Sequence, residues 1–550
     1  MAPTLCSRCG DAVEEDCDPR DELAELEDLL DRLTRKRYDL KRKVNQLCPI
    51  LRKLPPDVMS IIFEFCLPYF ADNHTFAYSK DDTTIPLSLG AICRYWRDIA
   101  WSTPSLWSSL LVCIPTNDSR MAVGLAQEWL ERSGQLPLTI RIVSLSKGGG
   151  AILALADIVN QYSARWSKLD LSTSDYSFHH FQPIDNHAPM LKSIRFYCAG
   201  DEMTFSFQQE FQPPLTCPCL EKATLSFFPR GIEFVNLTHL TIVSMSIFDS
   251  LLILRMTHRL VFCEISGYSK ELRDPNPGAI VLPSLRSLRL PISGFEEDFL
   301  NLNSLITPHL EEFRLPTYFD SSMEIITSFV RRSACSLCSL TMIFSTSQPY
   351  FDRFMSLLQS MPSLDTLSLI SITTTAWRNI SITDEDCEPR KILQLVAKVL
   401  SSQSTSPDLQ QGQQRFLPNL KILEYTGELF LRPGNYSDLY PLPPADNAIR
   451  GPFHLLNLNL YPVTRVPKNL ISYVMGLKER GVATNVLSKS EDILQSSIDY
   501  YRSRIDSSSQ DWLDNLEPTL LSTLVQRVAV NVSSIWDSED DLDWPDVFIS

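Results

Sequence analysis

Apolar residues recur along residues 21–47 on alternating three- and four-residue steps: Leu23, Leu26, Leu30, Leu33, Leu40, Val44 and Leu47, interrupted by Arg37. That spacing predicts an amphipathic helix with a coiled-coil seam. Its charges are segregated, with residues 18–31 almost wholly acidic and residues 32–43 almost wholly basic. Two copies laid antiparallel would set acid against base along their length, and parallel copies would set like against like. A helix folded back on its own domain is the plainer reading, and the charge order adds antiparallel self-association through residues 21–47 as a second hypothesis. Pro49 ends the helix. Two shorter helical patterns follow, 56–67 and 87–100, separated by a polar stretch at 68–86.

Downstream the period changes. The pattern apolar-x-x-apolar-x-apolar appears at 166–171, 191–196, 220–225, 237–242, 260–265, 285–290, 310–315, 337–342, 364–369, 420–425 and 455–460. Successive starts lie mostly 23 to 29 residues apart, the spacing of leucine-rich repeats. Proline stands two residues before the first apolar position in six of the eleven (Pro189, Pro218, Pro283, Pro308, Pro362, Pro418), where random placement of 36 prolines would put fewer than one. Proline there ends a helix and opens an extended segment. Between motifs the pattern turns helical, at 299–306, 325–330 and 354–358. The prediction is an α/β chain in which an irregular leucine-rich-repeat-like solenoid occupies 108–485, with extra strands at 108–113 and 136–144.

The irregularity is expected because regular repeats carry Asn or Cys three residues past the motif. Here those places hold Ala199, Phe228, Met245, Tyr268, Ser293 and Tyr318. Two insertions interrupt the array, one over 373–416 with a helix at 391–400, and one at 432–448. A C-terminal part with helices and an acidic tail is expected at 486–550, and a disordered tail at 1–20. On the outward side of the strands, Phe262, Glu264, Ser287, Arg289, Glu312 and Arg314 should line one face, with Arg289 near Glu264 and Arg314. A target-binding groove there would use Phe262 as an anchor between mixed charges.

Composition narrows the function classes. The net charge of -16 argues against a nucleic-acid or membrane-surface binder. No run reaches the roughly 18 apolar residues of a membrane span. Residues 1–18 lack the apolar core of a secretory signal, so the expectation is cytoplasm or nucleus with the fourteen cysteines reduced. Lys147-Gly148-Gly149-Gly150 lacks the Gly-Lys-Ser/Thr ending of a phosphate loop. Cys6, Cys9 and Cys17 lack a fourth ligand at zinc spacing, and His179, His180, Asp185 and His187 crowd one loop without metal spacing. Neither GxSxG nor HExxH occurs. No cofactor, metal or catalytic activity is expected.

Three ordered pieces resemble an F-box: Leu54-Pro55-Pro56-Asp57-Val58 opening an apolar helix, then Cys93-Arg94-Tyr95-Trp96-Arg97, then Pro104-Ser105-Leu106-Trp107. They span residues 50–107, about a tenth of the chain, and depart from the family in the long 68–86 insertion. The resemblance implies a small helical domain that docks a Skp-type adaptor, and through it a cullin, while the repeats bind a protein target for ubiquitination. The residues it assigns to the adaptor are Leu54, Pro55, Pro56, Val58, Ile61, Ile62, Phe65, Leu67, Ile92, Cys93, Trp96, Leu106 and Trp107. Such a unit carries more large apolar side chains than its own small core can hide, as a partner surface would. The alternative is a repeat scaffold for protein interactions without a ligase.

Overall fold

The computed structural model describes residues 19–46, 54–67, 84–114, 120–144, 150–173, 177–183, 185–198, 210–269, 278–290, 300–317, 320–345, 351–372, 395, 399, 416–428, 452–461, 466, 468–479, 481–488 and 491–502. The expectations for Cys6, Cys9 and Cys17, for 68–83, for Lys147 to Gly149, for 432–448, for the tail beyond 502 and for most of 373–416 lie outside these residues. The chain divides into two compact units, Met1–Leu282 and Pro283–Ser550.

In the first unit, the leucine seam lies on one 28-residue helix, α1 (Pro19–Gln46), opened by a proline where no intrahelical donor is lost. Three short helices follow: α2 (Pro56–Phe65), α3 (Ile85–Ile92) and α4 (Arg94–Ser102), then a tight 3-10 turn at Pro104–Trp107. The chain continues through β1 (Ser109–Ile114), α5 (Arg120–Arg132), β2 (Leu138–Ser144), α6 (Gly150–Asn160), β3 (Trp166–Thr173), β4 (Ser193–Cys198), β5 (Glu210–Leu215), β6 (Lys222–Leu225), β7 (Arg230–Ile232), β8 (His239–Ser246), α7 (Ile247–Met256), β9 (Phe262–Ser269) and β10 (Ile280–Val281). The main sheet of this unit runs β1-β2-β3-β4-β6-β8-β9, and every pairing is parallel. Strands β5 and β7 form a small parallel pair beside it.

The second unit comprises β11 (Ser287–Arg289), α8 (Leu300–Ser304), β12 (Leu305–Ile306), β13 (Glu312–Thr317), α9 (Asp320–Ser333), β14 (Ser339–Ser345), α10 (Phe351–Gln359), β15 (Thr366–Ile372), β16 (Ile422–Glu428), β17 (Leu455–Tyr461), α11 (Lys468–Glu479), β18 (Ala483–Ser488), β19 (Glu491–Asp492) and α12 (Leu494–Arg502). Its sheet runs β11-β13-β14-β15-β16-β17-β18-β19, parallel except for the final β18–β19 pair. The protein is thus α/β with a predominantly parallel sheet system. Leu395 and Val399 of the predicted 391–400 helix are helical and buried.

Why these segments become strands is visible in one repeated hydrogen-bond unit. A buried residue accepts from the first motif residue three positions on: Ala188 from Leu191, Cys217 from Leu220, Thr307 from Leu310, Met361 from Leu364 and Leu417 from Leu420. Pro189, Pro218, Pro308, Pro362 and Pro418 sit second in those turns, where a fixed φ is favourable and no N–H is required. The next carbonyl then accepts two N–H groups of the following motif, as Arg286 does from Glu311 and Glu312, and Cys338 from Asp365 and Thr366. Equivalent motif positions are thereby set opposite one another in neighbouring strands, as Leu340↔Leu367 and Met342↔Leu369 are. Its fourth and sixth motif residues, such as Leu340 and Met342, or Leu367 and Leu369, fill the core.

One motif needs correction. The pairing Leu423↔Leu456 and Tyr425↔Leu458 puts the last motif at 453–458, starting on buried Phe453, instead of 455–460. The segment alternates Leu456, Leu458 and Leu460, and a two-residue slip leaves such a strand's apolar face unchanged.

The helical segment has its own tight point. A methyl group on Gly90 of α3 would collide with the Trp101 ring. Gly90→Ala is therefore expected to cost about 1–3 kcal/mol by overpacking, read as a lower urea midpoint.

Candidate docking faces

Helix α2 is apolar on two sides. Met59 and Phe63, one turn apart, are buried; Phe63 lies 5.0 Å from the Trp96 ring of α4. Ser60 hydrogen-bonds Thr103 at 2.9 Å, and Glu64 accepts from Ser105. These contacts fix which side of α2 faces inward. Val58, Ile61, Ile62 and Phe65 recur at the steps of a second helical face, and all four are exposed, Ile61 to 53% and Phe65 to 86%. Ile92 of α3 is exposed as well. Pro55 and Pro56 are exposed at the start of α2; Leu54, Leu67, Cys93 and Trp96 are half-buried. The Cys93 sulfur caps α4 by accepting from the Trp96 N–H at 3.5 Å.

Leu106 and Trp107 are placed otherwise than on a partner surface. Their exposures are 0% and 1%. The Trp107 indole donates to the Ala100 carbonyl at 2.7 Å and lies edge-on to Trp101 (5.3 Å) and Trp129 (4.8 Å). The Arg132 guanidinium lies over the Trp101 and Trp107 rings. This cluster joins the helices to β1 and α5, so these two residues hold the unit in place.

The second face is the outward side of the parallel strands, at the third and fifth motif positions. Phe262 and Glu264 lie there in the first unit, half-buried, and the Phe262 ring stacks on His239 at 5.8 Å. Burial, with Lys222 nearby, holds the His239 imidazole below its ordinary pKa against the opposing pull of Glu221. In the second unit Arg289 pairs in register with Arg314, and Ser287 with Glu312. Glu312 is exposed and the two arginines are half-buried.

No family model matches this chain, and no curated protein is similar to it.

The sequence reading missed a charged cluster on the outward face of the first unit. Asp170, fifth in its motif on β3, sits between Arg141 of β2 at 2.5 Å and Arg195 of β4 at 3.5 Å, with side chains only 13% to 16% exposed. Burial lifts the Asp170 carboxyl above its ordinary value despite the pull of both arginines. The signal was present, because Asp170 and Arg195 occupy the same place in consecutive motifs. In the second unit the same row opens on Arg289 and Arg314 and turns neutral to acidic toward its far end, where Asn457 donates to Glu424 at 3.1 Å and Asn485 to Asn457 at 2.8 Å.

His187 bonds Thr216 at 2.8 Å, and the rings of His179 and His180 lie 3.8 Å apart. Among the described residues no group of three His, Cys, Asp or Glu is arranged to hold a metal. Burial, aided by Glu233 and Glu264 respectively, pushes the Cys217 and Cys263 thiols up to about 12, so both stay protonated and pack as small apolar groups. Among the described residues no helix is long and apolar enough to cross a membrane.

Proposed function

We propose that this chain is a non-catalytic adaptor: the F-box-like unit at 54–107 docks a Skp-type adaptor bridging to a cullin, and an irregular leucine-rich-repeat-like solenoid presents a target. The observation that carries it is the second apolar face of α2. Val58, Ile61, Ile62 and Phe65 stay exposed although Met59 and Phe63 already supply the helix's core contacts. Water contact along four large apolar side chains on one face is unfavourable, and a partner that covers them removes that cost. The ordered Leu-Pro-Pro-Asp-Val, Cys-Arg-x-Trp-Arg and Pro-x-Leu-Trp pieces say which kind of partner. The reading requires no cofactor or metal, and it puts the chain in the cytoplasm or nucleus. Target capture is assigned to the outward strand face of each unit taken by itself, to Phe262 and Glu264 in the first and to Arg289, Glu312 and Arg314 in the second.

Co-expression with a Skp-type adaptor tests it. Capture of the full chain is expected, weakened at least about 100-fold by Ile61→Asp with Phe65→Asp, because hot-spot truncations each cost about 2 kcal/mol. Both side chains are exposed, so the unfolding midpoint should hardly move. A full chain that fails to bind the adaptor at about 10 μM would overturn the docking role and leave a repeat scaffold.

A further inference from the structure

We propose that α1 pairs antiparallel with α1 of a second copy of this chain. The inference stands apart from adaptor docking, which uses α2 and α3. Along α1 the seam residues Leu23, Leu26, Leu30, Leu33, Leu40 and Val44 are exposed to between 52% and 66%, on an unbroken helix. An amphipathic helix gains most of its stability from packing that face, and the charge order of α1 selects what packs there.

The heptad register makes the choice specific. Antiparallel, Leu33 of one copy meets Arg37 of the other, Leu30 meets Leu40, and Leu26 meets Val44. Glu27 of each copy then flanks Lys41 of the other. Parallel pairing would instead bury Arg37 against Arg37 and set Lys36 beside Lys41, like charges in both places. Within one helix, Asp28 and Asp31 already pair with Arg32 and Arg35 one turn on, so the boundary between acid and base holds its own charges at the centre of the pair.

Sedimentation equilibrium of the full chain at about 50 mM salt, from about 1 to 50 μM, reads the outcome. A dimer is expected. Lys41→Glu should weaken it about tenfold, since two attractive contacts become repulsive. Glu27→Lys with Lys41→Glu should restore it to within about threefold. Leu30→Lys, at an exposed position, should abolish dimerisation while the urea transitions of the strand-bearing parts of the two units stay unchanged. A monomer throughout the range overturns the pairing, as does a dimer that survives Leu30→Lys. Tighter association of the Lys41→Glu chain would mean parallel helices and overturns the orientation.

Discussion

Trp107→Ala is expected to lower the stability of the first unit by about 3–5 kcal/mol, the range for removing a fully buried tryptophan. Three losses combine. The cavity would open between Trp101 and Trp129, whose rings contact Trp107 edge-on. The Ala100 carbonyl would lose its 2.7 Å hydrogen bond from the indole at the end of α4. Arg132 would lose one of the two rings it covers. Trp107→Phe refills part of the space without restoring the donor, and should fall between the two. The measurement is urea unfolding followed by circular dichroism, with the first unit's transition fitted separately because two units need not unfold as one. A midpoint within experimental scatter of the parent chain would remove Trp107 from the joint between the helices and the sheet.

That experiment also separates two kinds of residue that sequence alone had grouped. Leu106 and Trp107 share a motif with the exposed α2 residues, and all were assigned to one partner surface. Burial depends on what the chain packs next, and that element, α5, lies beyond the motif. Changing Trp107 should therefore lower the melting midpoint and weaken adaptor capture only through folding. Changing Phe65 should do the reverse.

Elsewhere the sequence was more informative because the physics is local. Proline at the second place of a tight turn and alternating burial along a strand are both short-range requirements. Pro189, Pro218, Pro308, Pro362 and Pro418 thus marked their strands correctly. The slip at Phe453 occurred where Leu456, Leu458 and Leu460 offered two equivalent frames. The boundary between the units, after Leu282, left no mark, since Pro283 and Leu285 continue the motif unchanged. The antiparallel pairing proposed for α1 rests on charge order and heptad position, both of which are local to the sequence.

In the Arg141–Asp170–Arg195 cluster, Asp170 and Arg195 were legible by comparing equivalent motif places, whereas Arg141 stands on a strand outside the motifs whose register only the structure gives, and the cluster supports the second large expected effect. Asp170→Ala should destabilise the first unit by about 3 kcal/mol, because it removes the negative charge between two guanidinium groups that are each mostly shielded from water. The pair attraction is not itself a large net gain. Burial raises the Asp170 carboxyl above its ordinary value even with both arginines beside it, so desolvation outweighs their attraction. Replacing the whole cluster (Arg141→Met, Asp170→Leu, Arg195→Met) should consequently leave stability within about 1 kcal/mol of the parent, while any single removal is costly. Urea midpoints of the single and triple variants decide the matter. An Asp170→Ala chain as stable as the parent would show that the arginines are solvated well enough without the carboxylate. If the triple variant is as stable as the parent, the cluster contributes little net stability to the fold.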